Sequence, residues 1–500
     1  MTNLQSTPNL LFLITDQQQA ATLEPDSLCQ MPNLQHLAAG GVRFENCYSP
    51  NPICAPARAS LFTGLLPHNH GMVDNPHTVE AYRANLKDNL PFWTVDLQKA
   101  GYHNAYFGKW HVDRSLRLEN FGFKTYDTEE DSYSGYRAYR RHIGLPEKIP
   151  APQHIVQVEH KGYKPFTISG ISPEPTEATL EHYLYTRGIQ FIEQQAEHKT
   201  NQPWSLVLSA LAPHDPYIVP DQYAELYKPN VIPQPASFHD NLADRPAIYR
   251  RLQQVWSGLE WEHFAQITAR YYAFCSMIDD QVGRVLDSLH RTGQAENTLI
   301  VFLSDHGDYM GAHRLLLKGI PAFDQAYRVP LIISGPGIPQ GKTISQRISQ
   351  IDLATSILPL LGLDSPVVQK NNQNPTLPTL GRSLVPLLGD SPEDLSAQSS
   401  WSSQHFAECH GQRFFYTQRV LWWQEYKYIF NGFDQDEFYN LKLDPNELHN
   451  LAQEPEMRPL IEEMAARMWG VIHATGDTNM IEAEYGMFRF APVGPHIRRS

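Results

Sequence analysis

The chain is 500 residues long, 41% hydrophobic and 19% charged, with a formal net charge of −14. That length exceeds one ordinary hydrophobic core and predicts a large domain with a smaller companion. The acidic balance excludes a nucleic-acid binder, whose footprint on phosphate is basic, but allows a small anionic substrate in a pocket with its own local field.

In chain order, the first β-type run is NLLFLITD, which ends at Asp16. Its apolar stretch, residues 10–14, is too short for a signal-peptide core or a membrane span, and nothing basic precedes it. A cytoplasmic protein is expected. NLQHLAAGG (33–41) reads as helical, and after it comes NPICAPARASLFTG (51–64), where Cys54 precedes Pro56 and Arg58 at the mouth of a helix. Pro56 suits a first helical turn, the free amides there attract anions, and Arg58 adds a planar fork for oxyanions. Read alone, Cys54 is either a small buried hydrophobe or a reactive thiolate, and spacing does not separate the two. The five cysteines (Cys29, Cys47, Cys54, Cys275, Cys409) are odd in number and lack metal-finger spacing, which argues against a disulfide framework. In PHNHG (67–71), His68 and His70 resemble metal ligands but lie between a helix and a glycine turn, so a structural role is expected. Asn75, in GMVDN, is a turn residue or a site contact.

Three more apolar runs end in polar residues: HNAYFGKWH at Lys109 and His111, WSLVLSALAPHDPY near His214, and TLIVFLSDHGD at Asp305 and His306. YYAFCSMIDDQVGRVLDSLHRTG (271–293) has helical spacing. Near-continuous apolar strands alternating with helices predict an α/β fold, a mostly parallel sheet sandwiched by helices. Ligands bind outside the carboxyl ends of such strands, so the polar endings belong together. Asp16 or Asp305 alone is a turn or cap residue; the pair, with the adjacent His306, suits a divalent cation. QKNNQNPT (369–376) and GDSPEDLSAQSSWSS (389–403) read as surface loop or linker. FFYTQRVLWWQEYKYIFNGFDQDEFYNL is aromatic and β-prone, with NG as a hairpin-turn candidate and Trp422–Trp423 as core, and a last helix is expected over 454–473. The expected division is a catalytic domain over 1–395 and a small antiparallel sheet with a helix over 396–500.

CAPARASLFTG resembles the sulfatase signature, in which the cysteine of C-x-P-x-R is oxidised after translation to formylglycine. The resemblance continues in order through GYHNAYFGKWH, APHDPY, LSDHGDYMGAHRLLLKG, QIDLATSILPLLGL and DEFYNLKLDPNELHNLA. It implies an alkaline-phosphatase-like fold and an arylsulfatase-like sulfuric ester hydrolase. One hydroxyl of the hydrated aldehyde at position 54 would attack sulfur and release the alcohol; the other would expel sulfate from the covalent sulfo-enzyme. By the same resemblance Asp16, Asp305, His306 and modified Cys54 bind one divalent metal, calcium first, with manganese or magnesium as alternatives. Arg58 would hold the nucleophile's oxyanion, and Lys109 and His111 the diol and ester oxygens. His214 and Lys318 would contact the sulfate, with His214 as proton donor to the leaving oxygen and Asn75 as a further substrate contact. The implied partners are a small sulfate ester and a formylglycine-generating maturation enzyme, with no nucleic acid and no membrane; a homo-oligomer is left open.

One departure bears on the substrate. Many sulfatases have two adjacent acids after the first strand, whereas here Asp16 is followed by Gln17. Asp-Gln with Asp-His looks nearer to choline sulfatases and phosphonate monoester hydrolases, and the lost carboxylate weakens the case for calcium and strengthens that for manganese, with calcium still first. GKWH stands on the sulfate side. A phosphonate monoester or phosphodiester hydrolase on the same scaffold is the alternative, and the intact motifs argue against a non-catalytic binding protein. The alcohol half is unread: a quaternary ammonium would want an aromatic cage, and loops 124–170 and 215–260 match no known pattern.

Overall fold

In the computed structural model, all residues are described except 1–6, 77–83, 116, 129–133, 147, 199–201, 365–380, 413, 483–490 and 496–500. The polar segment 369–376 therefore lies outside the described residues. The main sheet holds β1 (Asn9–Thr15), β2 (Gly41–Tyr48), β3 (His103–Gly108), β4 (Thr125–Thr128), β5 (Trp204–Ser209), β6 (Thr298–Ser304), β7 (Arg328–Ser334), β8 (Lys342–Ile344) and β9 (Ile348–Ser349). Their order is β8-β2-β7-β6-β1-β5-β3-β4, with β9 also beside β2. Only β7 runs against the rest, pairing antiparallel with β6 and β2.

The central strand shows why the apolar runs end up here. Every residue of NLLFLIT is buried, and Phe12 stands opposite both Val207 and Val301. Leu10, Phe12 and Ile14 enter one apolar layer, Leu11 and Leu13 the other. With both faces covered, a one-residue slip would exchange the two layers, so packing holds the register.

One face is covered by helices α3 (Leu180–Glu197) and α4 (Trp261–Arg291), and the other by α1 (Cys54–Thr63), α2 (Trp93–Lys99) and α5 (Gln350–Leu360). The helix expected at 33–41 spans Pro32–Ala39. That expected at 271–293 starts earlier, at Trp261, because Glu260 and His263 close a capping box ahead of it. A separate three-stranded sheet (Gln153–Val158, Phe166–Ser172, Tyr217–Pro220) takes up parts of both loops that matched no pattern.

The C-terminal antiparallel sheet is β10 (His405–Gly411), β11 (Phe415–Trp423), β12 (Tyr426–Asn431) and β13 (Glu437–Asn440), hydrogen-bonded in that order. Phe406, Leu421, Tyr428, Phe430 and Phe438 pack on helix α6 (Arg458–Thr475), through Ile461, Met464, Met468 and Trp469. Trp422 turns the other way and packs on Tyr48 and Tyr327 of the main body, as core rather than as a ligand cage. Two sequence expectations change. The tight hairpin turn is at Gln424–Glu425, with Gln424 at φ 51°, while Asn431–Gly432 opens the longer loop to β13. Within 389–403, Pro392–Ser399 is helical because Ser391 and Asp394 form a reciprocal capping box around Pro392, a local signal that outweighs the polar composition.

Candidate active site

Four strand-to-loop transitions deliver the candidate residues to one edge of the main sheet. Asp16 follows β1, Asp305 and His306 follow β6, Lys109 and His111 follow β3, and His214 lies beyond β5. Backbone bonds carry the pairing past the strand ends: Asp305 N–H donates to Thr15 O (3.1 Å) and Lys109 N–H to Ser209 O (2.9 Å). Cys54 is the first residue of α1, whose Ala55 N–H donates to Asn75 Oδ1 at 3.1 Å. The loop before it is pegged at both sides of Asn51: Oδ1 accepts Ile53 N–H (2.8 Å) and Nδ2 donates to Glu408 O of β10 (2.7 Å). Glu408 N–H in turn donates to Pro50 O at 3.0 Å.

Asp16, Cys54, Asp305 and His306 are all buried, and one ligating atom from each lies within 4.8 Å of the others. His306 Nδ1 donates to Gly307 O (2.9 Å), since a carbonyl can only accept; Nε2 then faces Cys54 Sγ at 3.1 Å, Asp16 Oδ1 at 3.6 Å and Asp305 Oδ1 at 3.7 Å. The carboxylate distances exceed good hydrogen bonds. Burial disfavours an imidazolium here, yet Asp305 and Cys54 pull the His306 pKa up to about 9. The cluster thus draws positive charge to this nitrogen, a proton or a metal ion. Two carboxylates, an imidazole oriented by a backbone carbonyl, and residue 54 form an oxygen-rich donor set that fits calcium, manganese or magnesium. Asp305→Ala should lower bound metal, by elemental analysis, together with turnover; unchanged metal content would refute the ligand assignment.

Arg58, also fully buried, holds the two acids in place. Its Nε donates to Asp305 Oδ2 (2.8 Å), Nη2 to Asp16 Oδ2 (3.3 Å), and Nη1 to Lys109 O and Ser209 Oγ (2.8 Å each). Its guanidinium therefore sits on the carboxylates rather than on residue 54 itself. Lys109 Nζ lies 2.5 Å from Asp16 Oδ2. Burial and the neighbouring Cys54 push Asp16 up, but Lys109, His214 and Arg58 outweigh them and hold it below the usual carboxylate range. Burial likewise opposes ionisation of Cys54, yet Lys109, Lys318, His306 and a hydrogen bond from His111 hold its thiol well below normal.

On the other side, His214 Nδ1 donates to Asp215 O (2.7 Å), and Nε2 meets Lys318 Nζ at 2.6 Å. Lys318 also donates to Gln17 Oε1. The sequence-predicted residues therefore fall into a central acid–thiol cluster, Lys109 and His111 beside it, and a His214–Lys318 pair; Asn75 lies at the first turn of α1. His68 and His70 bond to Glu408 and Ser60 respectively. Ser209 and Gln350 were missed. Gln350 Nε2 donates to Ser304 O and Asp305 O (2.7 and 2.8 Å) and so anchors the end of β6. Ser209 could have been suspected as a strand-end residue, whereas nothing local marks Gln350.

A mostly parallel sheet with a cation-attracting acid cluster at its carboxyl edge, flanked by lysines and histidines, defines a hydrolase of the alkaline-phosphatase-like class. The sequence model of the sulfatase family matches residues 8–363, and that of the N-sulphoglucosamine sulphohydrolase C-terminal region matches 311–474. The chain belongs to the sulfatase family and is a sulfuric ester hydrolase. It is similar to the uncharacterized sulfatase YidJ of Escherichia coli (strain K12), 29% identical over 453 residues, 89% of this chain and 83% of that protein. It is 27% identical over 460 residues to a choline-sulfatase of Rhizobium meliloti (strain 1021), covering 90% of this chain and 83% of that protein. Its fold is shared by a phosphonate monoester hydrolase, SpPMH, from Silicibacter pomeroyi, with a TM-score of 0.77 at 23% identity, over 94% of this chain and 96% of that one.

Proposed function

We propose that this chain hydrolyses small sulfate esters through residue 54, oxidised from Cys54 to formylglycine, beside one divalent metal held by Asp16, Asp305, His306 and residue 54. The observation that carries the reading is the place of Cys54: inside C-x-P-x-R, first in α1, 3.1 Å from His306 Nε2. A hydrated aldehyde there supplies an oxygen nucleophile, and a bound metal supplies Lewis-acid charge. The chain's own residues do the rest. Arg58 bridges both carboxylates and aims them at the cluster. Lys109 and His111 balance negative charge at residue 54. With Nδ1 committed to Asp215 O, His214 Nε2 accepts from the Lys318 ammonium, and it would take that proton and deliver it to the leaving oxygen. Lys318, beside it, balances charge on the transferring group.

The alternative, a phosphonate monoester or phosphodiester hydrolase, draws on Gln17. Sulfuryl transfer brings less negative charge into the site than phosphoryl transfer, so a metal cluster with one acid fewer tolerates phosphate-type esters better. The expected result is a preference for sulfate monoesters with measurable activity on phosphodiesters or phosphonates. The test is kcat/KM on matched aryl sulfate, phosphate and phosphonate esters, in wild type and Lys109→Ala. Lys109→Ala should lower kcat on the sulfate by about 10²-fold, the scale of one preorganised donor. A wild type fastest on phosphonate and indifferent to Lys109 would transfer the function to the alternative.

A further inference from the structure

Asp308 plays no part in the proposed reaction, yet its side chain is fully buried and all four groups hydrogen-bonded to its carboxylate are neutral. Oδ1 accepts the Met310 and Leu317 amides, both at 2.9 Å. Oδ2 accepts Gln17 Nε2 and the Tyr217 hydroxyl, both at 2.5 Å. Burying a carboxylate among neutral donors is unfavourable, and this one is spent on geometry rather than on charge pairing.

Both oxygens lead to Lys318. Leu317, the residue before it, is held by its amide on Asp308 and by Tyr309 N–H donating to Leu317 O at 2.8 Å. The ammonium of Lys318 donates to Gln17 Oε1. Gln17 itself is fully buried at φ 70°, its N–H on Asp305 Oδ1 (3.1 Å) and its carbonyl accepting from Tyr271 (2.9 Å). Its amide has one usable orientation: NH2 toward the carboxylate, oxygen toward the ammonium. Reversing it would set donor against donor at Lys318.

We propose that Asp308 is a positioning residue that holds Lys318 at both ends, its backbone through the Leu317 amide and its ammonium through the Gln17 side chain. The inference rests on the reading that Lys318 acts on the transferring group.

A pair of double-mutant cycles tests it, run on whichever ester wild type turns over faster, aryl sulfate or aryl phosphonate, so that failure of the sulfate reading leaves the cycles interpretable. Asp308→Asn places an NH2 against the Gln17 NH2, and Gln17→Glu places a carboxylate against Asp308. Each single change should lower kcat/KM by about 10²-fold, whereas Gln17→Glu/Asp308→Asn restores a donor facing an acceptor at unchanged total charge and should recover to within about tenfold of wild type. In a Lys318→Ala background Asp308→Asn should cost less than about threefold, because the group it places is gone. Metal content and Tm, measured on every variant, separate loss of metal or of fold. Should Asp308→Asn not fold, Tyr217→Phe, which removes one donor from Oδ2, enters the same Lys318→Ala cycle. Wild-type activity in Asp308→Asn, or additive losses in the cycles, overturns the proposal.

Discussion

Cys54→Ala is expected to lower kcat on an aryl sulfate by about 10⁵-fold or more, the scale seen when a covalent nucleophile is deleted. Cys47, Cys275 and Cys409 are not poised to substitute. Burial pushes the thiols of Cys47, Cys275 and Cys409 up, whereas that of Cys54 is held down by Lys109, Lys318 and His306 against its own burial. Position 54 is thus the one place among them where negative charge on a side chain is stabilised. The fold should tolerate the change, since alanine keeps the first turn of α1 and its Asn75 contact through the Ala55 amide. Peptide mapping of active wild type is the companion measurement and should show an aldehyde at position 54. Full activity in Cys54→Ala would sink the mechanism.

Arg58→Ala carries the second large effect, on stability as well as turnover. The substitution leaves Asp305 buried with the guanidinium gone and Asp16 with Lys109 alone, while Ser209 Oγ still donates to the Lys109 carbonyl at 2.7 Å. Breaking a buried ion pair by removing one partner typically costs about 3–5 kcal/mol, because the remaining charge is uncompensated. Turnover should fall by at least about 10²-fold as the acid pair loses its geometry. Arg58→Lys should rescue little: one ammonium cannot span two carboxylates, a hydroxyl and a carbonyl from one planar fork. The control is Arg43, whose 3.0 Å pair with Glu45 is partly exposed; Arg43→Ala should stay within about 0.5 kcal/mol. Denaturant unfolding and an activity assay check both. An Arg58→Ala protein as stable as wild type would mean that the guanidinium is not what balances the acids.

The parts of the site readable in the sequence were those with a local signature. Asp16, Lys109, Asp305 and His306 each terminate an apolar run, and such runs can only be strands with their ends at one edge. Cys54, Pro56 and Arg58 share one short motif. What stayed hidden depends on pairing across the fold. Gln17 meets Asp308 across 291 positions and Arg58 meets Ser209 across 151, and no window of sequence contains both members. Gln17 was read only as a missing acid; its work as a bridge needed the positions of Asp308, Tyr217 and Lys318. The helix Pro392–Ser399 was a different kind of miss, because its Ser391–Asp394 cap was present in the sequence and composition was given more weight.

The peg between the loop before α1 and β10 also has a meaning in time. Asn51 and its acceptor Glu408 are 357 residues apart. At about 5–20 residues per second, a ribosome needs about 20–70 s to travel from one to the other. During that interval the segment leading to Cys54 exists without the strand that later fastens it. In the finished fold Cys54 is 1% exposed. The oxidation of Cys54 that the proposed mechanism requires would therefore have its opening before β10 is made.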